Sequence, residues 1–228
     1  MQTLVLDAQS QDSTADVARA HGAEVIVRPW QGFSNARLFA LSQVRTPWTL
    51  MIDADEALDP ELRGAIERTN PTVDGFVLSR TTYYCGKPLR MWSGERILRL
   101  FRTDRVRLAA APAAGGEADL HERWTCAGET AQLSGTLLHY SYPTHAAYRD
   151  KFERYTSIEA RGIRGSRVAA VRAGFMVPIR FLWYAFARRA ALDGTAGLRV
   201  AWYSALYPAV VQWKALRFDK LSAPSRRL

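Results

Sequence analysis

The sequence predicts an α/β protein in which a mostly parallel sheet is flanked by helices. Short apolar runs alternate with helix-like segments over short loops in the first part of the 228-residue chain, a pattern typical of parallel strands joined by helices. Acidic residues end two of these runs: Asp7 follows residues 4–6, and Asp53 follows residues 48–52. Because ligands of such sheets bind outside the carboxyl ends of the strands, both residues lie where a site is expected.

The individual elements follow from the apolar runs and from helix start and stop signals. Ser13 and Thr14 can cap a first helix that ends before Gly22, and Asp59 with Pro60 is typical of another helix start. Residues 81–107 suggest extended segments around an aromatic loop. In order, the predicted elements are strand 4–6, helix 13–20, strand 25–27, helix 35–44, strand 49–52, helix 60–68, strand 75–78, strand 132–140 and helix 145–162.

The composition predicts one substantial domain with a basic appendage. A hydrophobic content of 48% is enough for a single core in a chain of this length. The net charge of +9 is unevenly placed: residues 1–158 carry 18 Lys and Arg against 19 Asp and Glu, and residues 159–228 carry 13 against 3. We therefore divide the chain into an α/β domain, 1–158, and a basic, aromatic-rich helical tail, 159–228. Cys85 and Cys126 do not resemble a disulfide framework and favour a reduced, cytosolic setting.

The tail contains two apolar segments, 168–191 and 198–216, and across the tail basic residues alternate with aromatic ones. This combination is expected of amphipathic helices on an anionic membrane surface. Neither segment is a convincing transmembrane helix, because the first contains Pro178 and several arginines and the second is short. A re-entrant hairpin, or packing against the sheet or another subunit, is the alternative. Nucleic acid is the rival partner, but the apolar residues between the charges favour a membrane.

Asp53 and Asp55 form an acidic pair where a buried strand meets solvent. Two such carboxylates repel each other unless a cation lies between them. Oxygen ligands suit Mg²⁺ or Mn²⁺, and these ions in turn suit a departing diphosphate. The pair therefore indicates a nucleotide-sugar site, although an acidic strand end is also typical of a helix cap or a solvated loop.

Several motifs, in this order, resemble a family-2 glycosyltransferase of the lipopolysaccharide-core type, the branch that includes bacterial core β-glucosyltransferases. The match covers almost the whole chain. It includes the turn Asp7-Ala-Gln-Ser-Gln-Asp-Ser-Thr14 after the first strand and the acidic motif Asp53-Ala-Asp-Glu56, and it is specific through the order and spacing of its motifs. The remaining motifs are Pro29-Trp30-Gln-Gly32-Phe33 with Arg37, Leu98-Arg-Leu-Phe-Arg102, Leu120-His-Glu122, Leu138-His-Tyr-Ser-Tyr142 and Leu192-Asp-Gly194 with Gly197.

The resemblance implies a GT-A-like (Rossmann-like) fold and roles for individual residues. Asp7 would hydrogen-bond the base of the donor nucleotide, and Arg37 would face the donor near its diphosphate. Asp55 would bind Mg²⁺ or Mn²⁺, and Asp53 would contact the ribose or the metal. Glu122 would be the general base, within hydrogen-bond reach of an acceptor hydroxyl, and the reaction would invert the anomeric carbon. Asp119 and Glu117 are substitutes for this base, because the stretch before Glu122 is longer than usual in the family.

The resemblance also implies a substrate and a location. The donor would be a nucleotide sugar, UDP-glucose by preference. The acceptor would be a lipid-linked or lipopolysaccharide-core saccharide at the cytoplasmic face of the inner membrane, with the protein held there peripherally. We expect no nucleic-acid partner. The family usually has a strand and a helix before the segment that matches residues 4–6. We therefore expect that the natural protein begins upstream of Met1. The alternative is a catalytically impaired remnant that binds membrane or saccharide.

Overall fold

The computed structural model of the protein describes residues 2–109 and 123–222, with side chains up to Asp219. Within them, nine strands form three sheets, and seven α-helices are accompanied by one π-helical turn, Trp183–Ala187, and one 3₁₀-helix, Ala190–Asp193. The strands are β1 Leu4–Asp7, β2 Glu24–Val27, β3 Trp48–Leu50, β4 Glu56–Leu58, β5 Gly75–Tyr84, β6 Lys87–Arg102, β7 Val106–Ala109, β8 Arg123–Cys126 and β9 Thr130–Tyr142. The helices are α1 Thr14–Ala20, α2 Phe33–Gln43, α3 Pro60–Arg68, α4 His145–Arg161, α5 Arg167–Phe175, α6 Val177–Leu182 and α7 Gly194–Ser222.

The N-terminal strands β1 and β2 form the parallel pair that the strand–helix alternation predicts. Their register places Leu4 opposite Glu24 and Asp7 opposite Val27. Helices α1 and α2 follow these strands and contact them. The pair is a separate two-stranded sheet within the described residues.

The central sheet has five strands in the order β3-β6-β5-β9-β4. It is mixed: β5 and β9 are parallel, and the other neighbours are antiparallel. With helices flanking these sheets, the predicted α/β, GT-A-like class is confirmed, and the antiparallel neighbours are the refinement that the structure adds. Strands β7 and β8 form a small antiparallel pair beside it.

The region predicted as extended segments around an aromatic loop is one long hairpin of β5 and β6. Its turn consists of Cys85 and Gly86, whose φ angles are 49° and 76°. Positive φ at both central residues matches the twist of two-residue hairpin turns. From this turn β6 runs to Arg102, and its last residues also pair with β3.

Two apolar clusters join helices to the central sheet, and a third, around Ala160, Val211 and Ala215, joins α4 to α7. Leu62 of α3 packs on Leu78 and Leu137 of the central sheet. At the other end, residues of the hairpin pack against α4 and α7; the buried members are Tyr84, Leu89, Met91, Tyr148, Ala190, Val200 and Ala201. The second cluster joins the C-terminal helices to strands β5 and β6, which also carry Arg80 and Arg99.

The C-terminal region is helical, as predicted. Helix α4 lies along α7, where Lys214 donates to Glu153, Thr156 and Ser157. Among the described residues no single helix is long and apolar enough to cross a membrane. Helix α5 and the segment formed by α6 and the π-helical turn are together long and apolar enough, but they are bent by 44° relative to each other. The division at residue 158 stays a prediction.

Candidate active site

Asp7 lies at the carboxyl end of β1 and is buried. Its carboxylate accepts hydrogen bonds from the backbone N–H of Ser10, at 3.2 Å, and from the Ser10 hydroxyl. The spacing of Asp7 and Ser10 is therefore explained by a closed turn directly after the strand. Thr14 closes the next turn by donating to Asp12, and these hydrogen bonds lower the pKa of the exposed Asp12.

The acidic motif forms a tight turn between β3 and β4. The Glu56 N–H donates to the Asp53 carbonyl at 2.9 Å, and the Asp53 N–H donates to Glu56 Oε2 at 3.0 Å. These reciprocal bonds fix the backbone that presents the side chains of Asp53 and Asp55. The Glu56 side chain is fully buried.

Three arginines from three different elements converge on this turn. Arg99 Nη2 lies 2.8 Å from Asp53 Oδ2 and 2.9 Å from Glu56 Oε1. Arg37 of α2 lies 3.4 Å from the Asp53 carboxylate, and Arg80 of β5 lies 3.2 Å from Glu56. Guanidinium groups in fixed positions can neutralise carboxylates without a metal. The mutual repulsion of the two carboxylates therefore does not by itself require a metal ion at Asp53.

The charge of Asp53 is stabilised by this network. Burial raises the pKa of its carboxyl, but Arg99 and Arg37 outweigh that effect and hold the pKa below its usual value. Asp53 thus remains ionised near neutral pH while 36% of its side chain is exposed. It can act as an acceptor for a ligand hydroxyl or ring N–H.

Asp55 points to a different partner, His139 of β9. His139 Nε2 lies 3.2 Å from Asp55 Oδ2, and His139 Nδ1 lies 3.2 Å from the Thr82 hydroxyl. The hydrogen bond from His139 is the main cause of the lowered pKa of Asp55. The Tyr140 N–H also donates to the Asp55 carbonyl at 2.7 Å, so β9 fixes both the backbone and the side chain of this residue.

A further cation, Lys151 of α4, is close enough to interact with Asp55. Its ammonium donates to the Ser141 hydroxyl at 2.8 Å and lies 5.0 Å from the centre of the Tyr142 ring. Burial lowers the pKa of Lys151, and the charge of Asp55 partly offsets this. Positive charge is therefore available on both sides of the acidic turn.

Sequence reasoning missed Arg80, Arg99 and Lys151, and it left His139 out of the site. Arg99 and His139 stand inside quoted motifs, so the motif signal was present. Their partners are 46 and 84 positions away in the chain, and such pairs are set by strand register rather than by local pattern.

The comparison with known families decides what kind of protein carries this turn. The model of glycosyl transferase family 2 matches residues 2–156, which include the Asp7 turn, Arg37 and the whole acidic motif. The chain belongs to glycosyl transferase family 2.

Individual relatives agree with this family-2 assignment. The chain is 37% identical over 102 residues to an uncharacterized glycosyltransferase of Rickettsia prowazekii, a match covering 44% of this chain and 33% of that protein. It is 26% identical over 234 residues to LpsC of Rhizobium meliloti, a lipopolysaccharide core biosynthesis glycosyltransferase, covering 96% of this chain and 84% of that protein. The matched part is thus about a third of the rickettsial relative's length. The resemblance to the lipopolysaccharide-core branch is confirmed.

The residues of this family-2 site fit a divalent ion in part. The described residues contain no group of three or more His, Cys, Asp and Glu side chains placed to hold a metal. Asp55 nevertheless brings a carboxylate oxygen, the ligand type that suits Mg²⁺ and Mn²⁺, whereas the imidazole of His139 is less suited to these ions and hydrogen-bonds Asp55. Asp55 could hold Mg²⁺ or Mn²⁺ if a diphosphate and water supplied the other ligands.

The expected base, Glu122, and its substitutes Asp119 and Glu117 lie outside the described residues. The strand that begins directly after Glu122 is described: β8 pairs with β7, and Trp124 packs on Phe101 with ring centres 5.3 Å apart. Phe101 follows Arg99 by two positions on β6. The roles of Asp7, Arg37, Asp53, Asp55 and Glu122 stay predictions.

Proposed function

We propose that the protein is an inverting glycosyltransferase that moves a hexose from a nucleotide sugar, UDP-glucose by preference, to a lipid-linked or lipopolysaccharide-core saccharide. The observation that carries the proposal is the acidic turn of Asp53–Glu56, fixed by arginines from three elements in a family-2 chain. The relationship to LpsC supports a saccharide of the lipopolysaccharide core as acceptor.

In this proposal the donor lies across the carboxyl ends of β1 and β3. Asp7 accepts a hydrogen bond from the base of the nucleotide, and Asp53, held ionised by Arg99, accepts one from the ribose. Arg37 faces the diphosphate. Asp55 would hold the divalent ion, with His139 as its hydrogen-bond partner, and the ion would supply positive charge for the departing diphosphate.

Glu122 then takes the proton of an acceptor hydroxyl, and the hydroxyl oxygen attacks the anomeric carbon. The bond from that carbon to the diphosphate oxygen breaks, and its electron pair leaves with the nucleoside diphosphate. A single displacement from the opposite face inverts the anomeric configuration. The fixed turn supports this chemistry because preorganised groups need no rearrangement as charge develops.

The test is an assay of UDP-glucose turnover in the presence of a deacylated core saccharide, in which the released UDP is measured. The anomeric configuration of the product is read by NMR. We expect UDP release that needs Mg²⁺ or Mn²⁺ and a product of inverted configuration. A folded chain that binds saccharide but releases no UDP from any nucleotide sugar would overturn the proposal and favour the impaired, saccharide-binding alternative.

A further inference from the structure

Helices α5 and α6 and the π-helical turn after them present a continuous row of large apolar side chains to solvent. The row follows helical spacing of three and four residues along one face. Each member is between 51% and 79% exposed. We call this row the apolar stripe; its members are Val168, Val171, Phe175, Ile179, Leu182, Trp183 and Phe186.

The opposite face of the same helices is covered by the protein. Ala173, Val177 and Ala185 are buried, and both α5 and α6 contact α7. Phe181 and Tyr184 also pack on the cluster around Tyr84, so the inner face is occupied while the apolar stripe stays outside. From Val168 to Phe186 the stripe follows about 27 Å of helix at the usual rise per residue. A contiguous exposed patch of this kind marks an interaction surface.

The chain segment that carries the apolar stripe has charge of one sign, and the carboxylate of Asp219 from α7 accepts from the Gly165 N–H at the start of this segment. Residues 160–192 contain seven arginines and no Asp or Glu. Most of these arginines are exposed, namely Arg161, Arg164, Arg167, Arg172, Arg188 and Arg189. The Arg188 guanidinium also lies 5.7 Å from the Trp183 ring centre and donates to the Met91 carbonyl at 2.7 Å, which anchors the end of the stripe to the β5–β6 hairpin.

This combination selects one occupant. A second copy that docked through the same surface would bring the same positive charge to the stripe, so stripe-to-stripe self-association is opposed electrostatically. A nucleic acid would satisfy the arginines but leave the large apolar side chains in water. An anionic lipid surface satisfies both, because acyl chains accept the apolar groups and headgroup phosphates pair with arginine.

We propose that the apolar stripe lies in the plane of an anionic bilayer, with its side chains in the headgroup and acyl boundary and the flanking arginines on lipid phosphates. The in-plane arrangement follows from the contact with α7, which already covers the inner face of α5 and α6. The inference rests on this surface alone and does not depend on the proposed sugar transfer.

The experiment is flotation of the full chain with vesicles of phosphatidylcholine that contain about 30 mol% phosphatidylglycerol, a fraction that gives the surface a clear negative charge. Vesicles of pure phosphatidylcholine serve as the neutral comparison. We expect binding to the anionic vesicles that weakens as salt is raised. Phe175→Ser with Phe186→Ser should lower the partition coefficient about tenfold or more. Val17→Ser with Trp30→Ser changes two residues that are each 53% exposed in the N-terminal region, and this matched control should keep the binding of the unaltered chain.

The charge is tested separately by Arg167→Gln with Arg172→Gln, both exposed and neither in the hydrophobic clusters. Each lost cation should reduce binding to anionic vesicles about fivefold, with little change on neutral vesicles. Retained binding in the Phe175 and Phe186 variant, or absent binding in the unaltered chain, would overturn the proposal. So would a lipid-free dimer, seen by sedimentation, that the same variant dissociates.

Depth distinguishes lying in the plane from re-entry into the bilayer. Trp183 is in the apolar stripe, so its fluorescence should be quenched by lipids brominated near the headgroup more than by lipids brominated near the chain end. The difference from Trp183→Phe isolates its signal from the other tryptophans. Stronger quenching from the chain end would contradict the in-plane arrangement.

Discussion

Replacing Arg99 with methionine tests the network that fixes the acidic turn. Arg99 is 7% exposed and contacts both Asp53 and Glu56. Removing one partner of a buried ion pair typically costs about 3–5 kcal/mol, because the other charge stays buried. Glu56 would keep Arg80 at 3.2 Å and the Asp53 N–H at 3.0 Å, so we expect a loss of roughly 2–3 kcal/mol in unfolding free energy.

For a chain of 228 residues, each kcal/mol lowers the melting temperature by about 2–4 °C. Arg99→Met should therefore melt roughly 5–10 °C lower in a thermal scan, with a matching shift of the urea midpoint. The matched control is Arg102→Met on the same strand. Arg102 pairs with Asp104 at 3.2 Å, but the two side chains are 42% and 61% exposed, so its loss should cost under about 1 kcal/mol.

A double variant separates the pair from general packing. If Arg99→Met is combined with Glu56→Gln, the buried charge that lost its partner is also removed, and the total loss should be smaller than the sum of the two single losses. Additive losses, or an Arg99→Met variant as stable as Arg102→Met, would refute the idea that the arginine holds the turn.

Three further predictions concern the same part of the fold. Burial raises the pKa of Asp53, but Arg99 and Arg37 outweigh it and lower that pKa from its usual value of 3.8. The charged carboxylate therefore stabilises the fold above the usual pKa, and this stabilisation is lost as the pH falls through the lower folded pKa. Asp53→Asn should flatten the fall of the urea midpoint below about pH 4, and an acid profile equal to that of the unaltered chain would contradict this role. Gly135 has φ 88°, and a Cβ there would lie 2.2 Å from the Leu62 nitrogen. Gly135→Ala should therefore lower the melting temperature much more than the control Gly94→Ala, where φ is 75° and no atom lies within 4 Å of the added Cβ. Equal losses would show that backbone strain, and not the clash with Leu62, decides the effect. Asp55→Asn should abolish metal-dependent release of UDP while circular dichroism stays unchanged, and full activity would remove it from the metal site.

Local signals predicted much of the secondary structure. Asp59 accepts from the Leu62 N–H at 2.7 Å and Pro60 begins α3, as the cap pattern indicates. Helix α4 begins at His145 as predicted, with Thr144 as its N-cap. Such elements are predictable because the groups that decide them are within a few residues of each other.

The site was less predictable because it depends on distant pairings. The carboxylates of the acidic turn were found from the strand end, but their arginine partners come from α2, β5 and β6. The length of the β5–β6 hairpin brings Arg80 and Arg99 to the turn, and bulges shift its register. Each bulge adds a residue to one strand and so changes which residues lie opposite each other.

The apolar stripe shows the same limit. Its three- and four-residue spacing is visible in the sequence, yet the same spacing is typical of a buried helix face. Which face is exposed depends on α7, which covers Ala173, Val177 and Ala185 instead. Composition predicted a membrane-facing tail, and only the packing identifies the residues that would face the lipid.

The most direct test of the proposed site is calorimetric binding of UDP with and without Mn²⁺, measured on the unaltered chain and on Asp55→Asn. If Asp55 holds the ion that meets the diphosphate, Mn²⁺ should tighten UDP binding at least about tenfold in the unaltered chain, since several kcal/mol of charge neutralisation is available. The gain should disappear in Asp55→Asn. Equal enhancement by Mn²⁺ in both proteins, or UDP binding that is indifferent to Mn²⁺, would contradict the role given to this carboxylate.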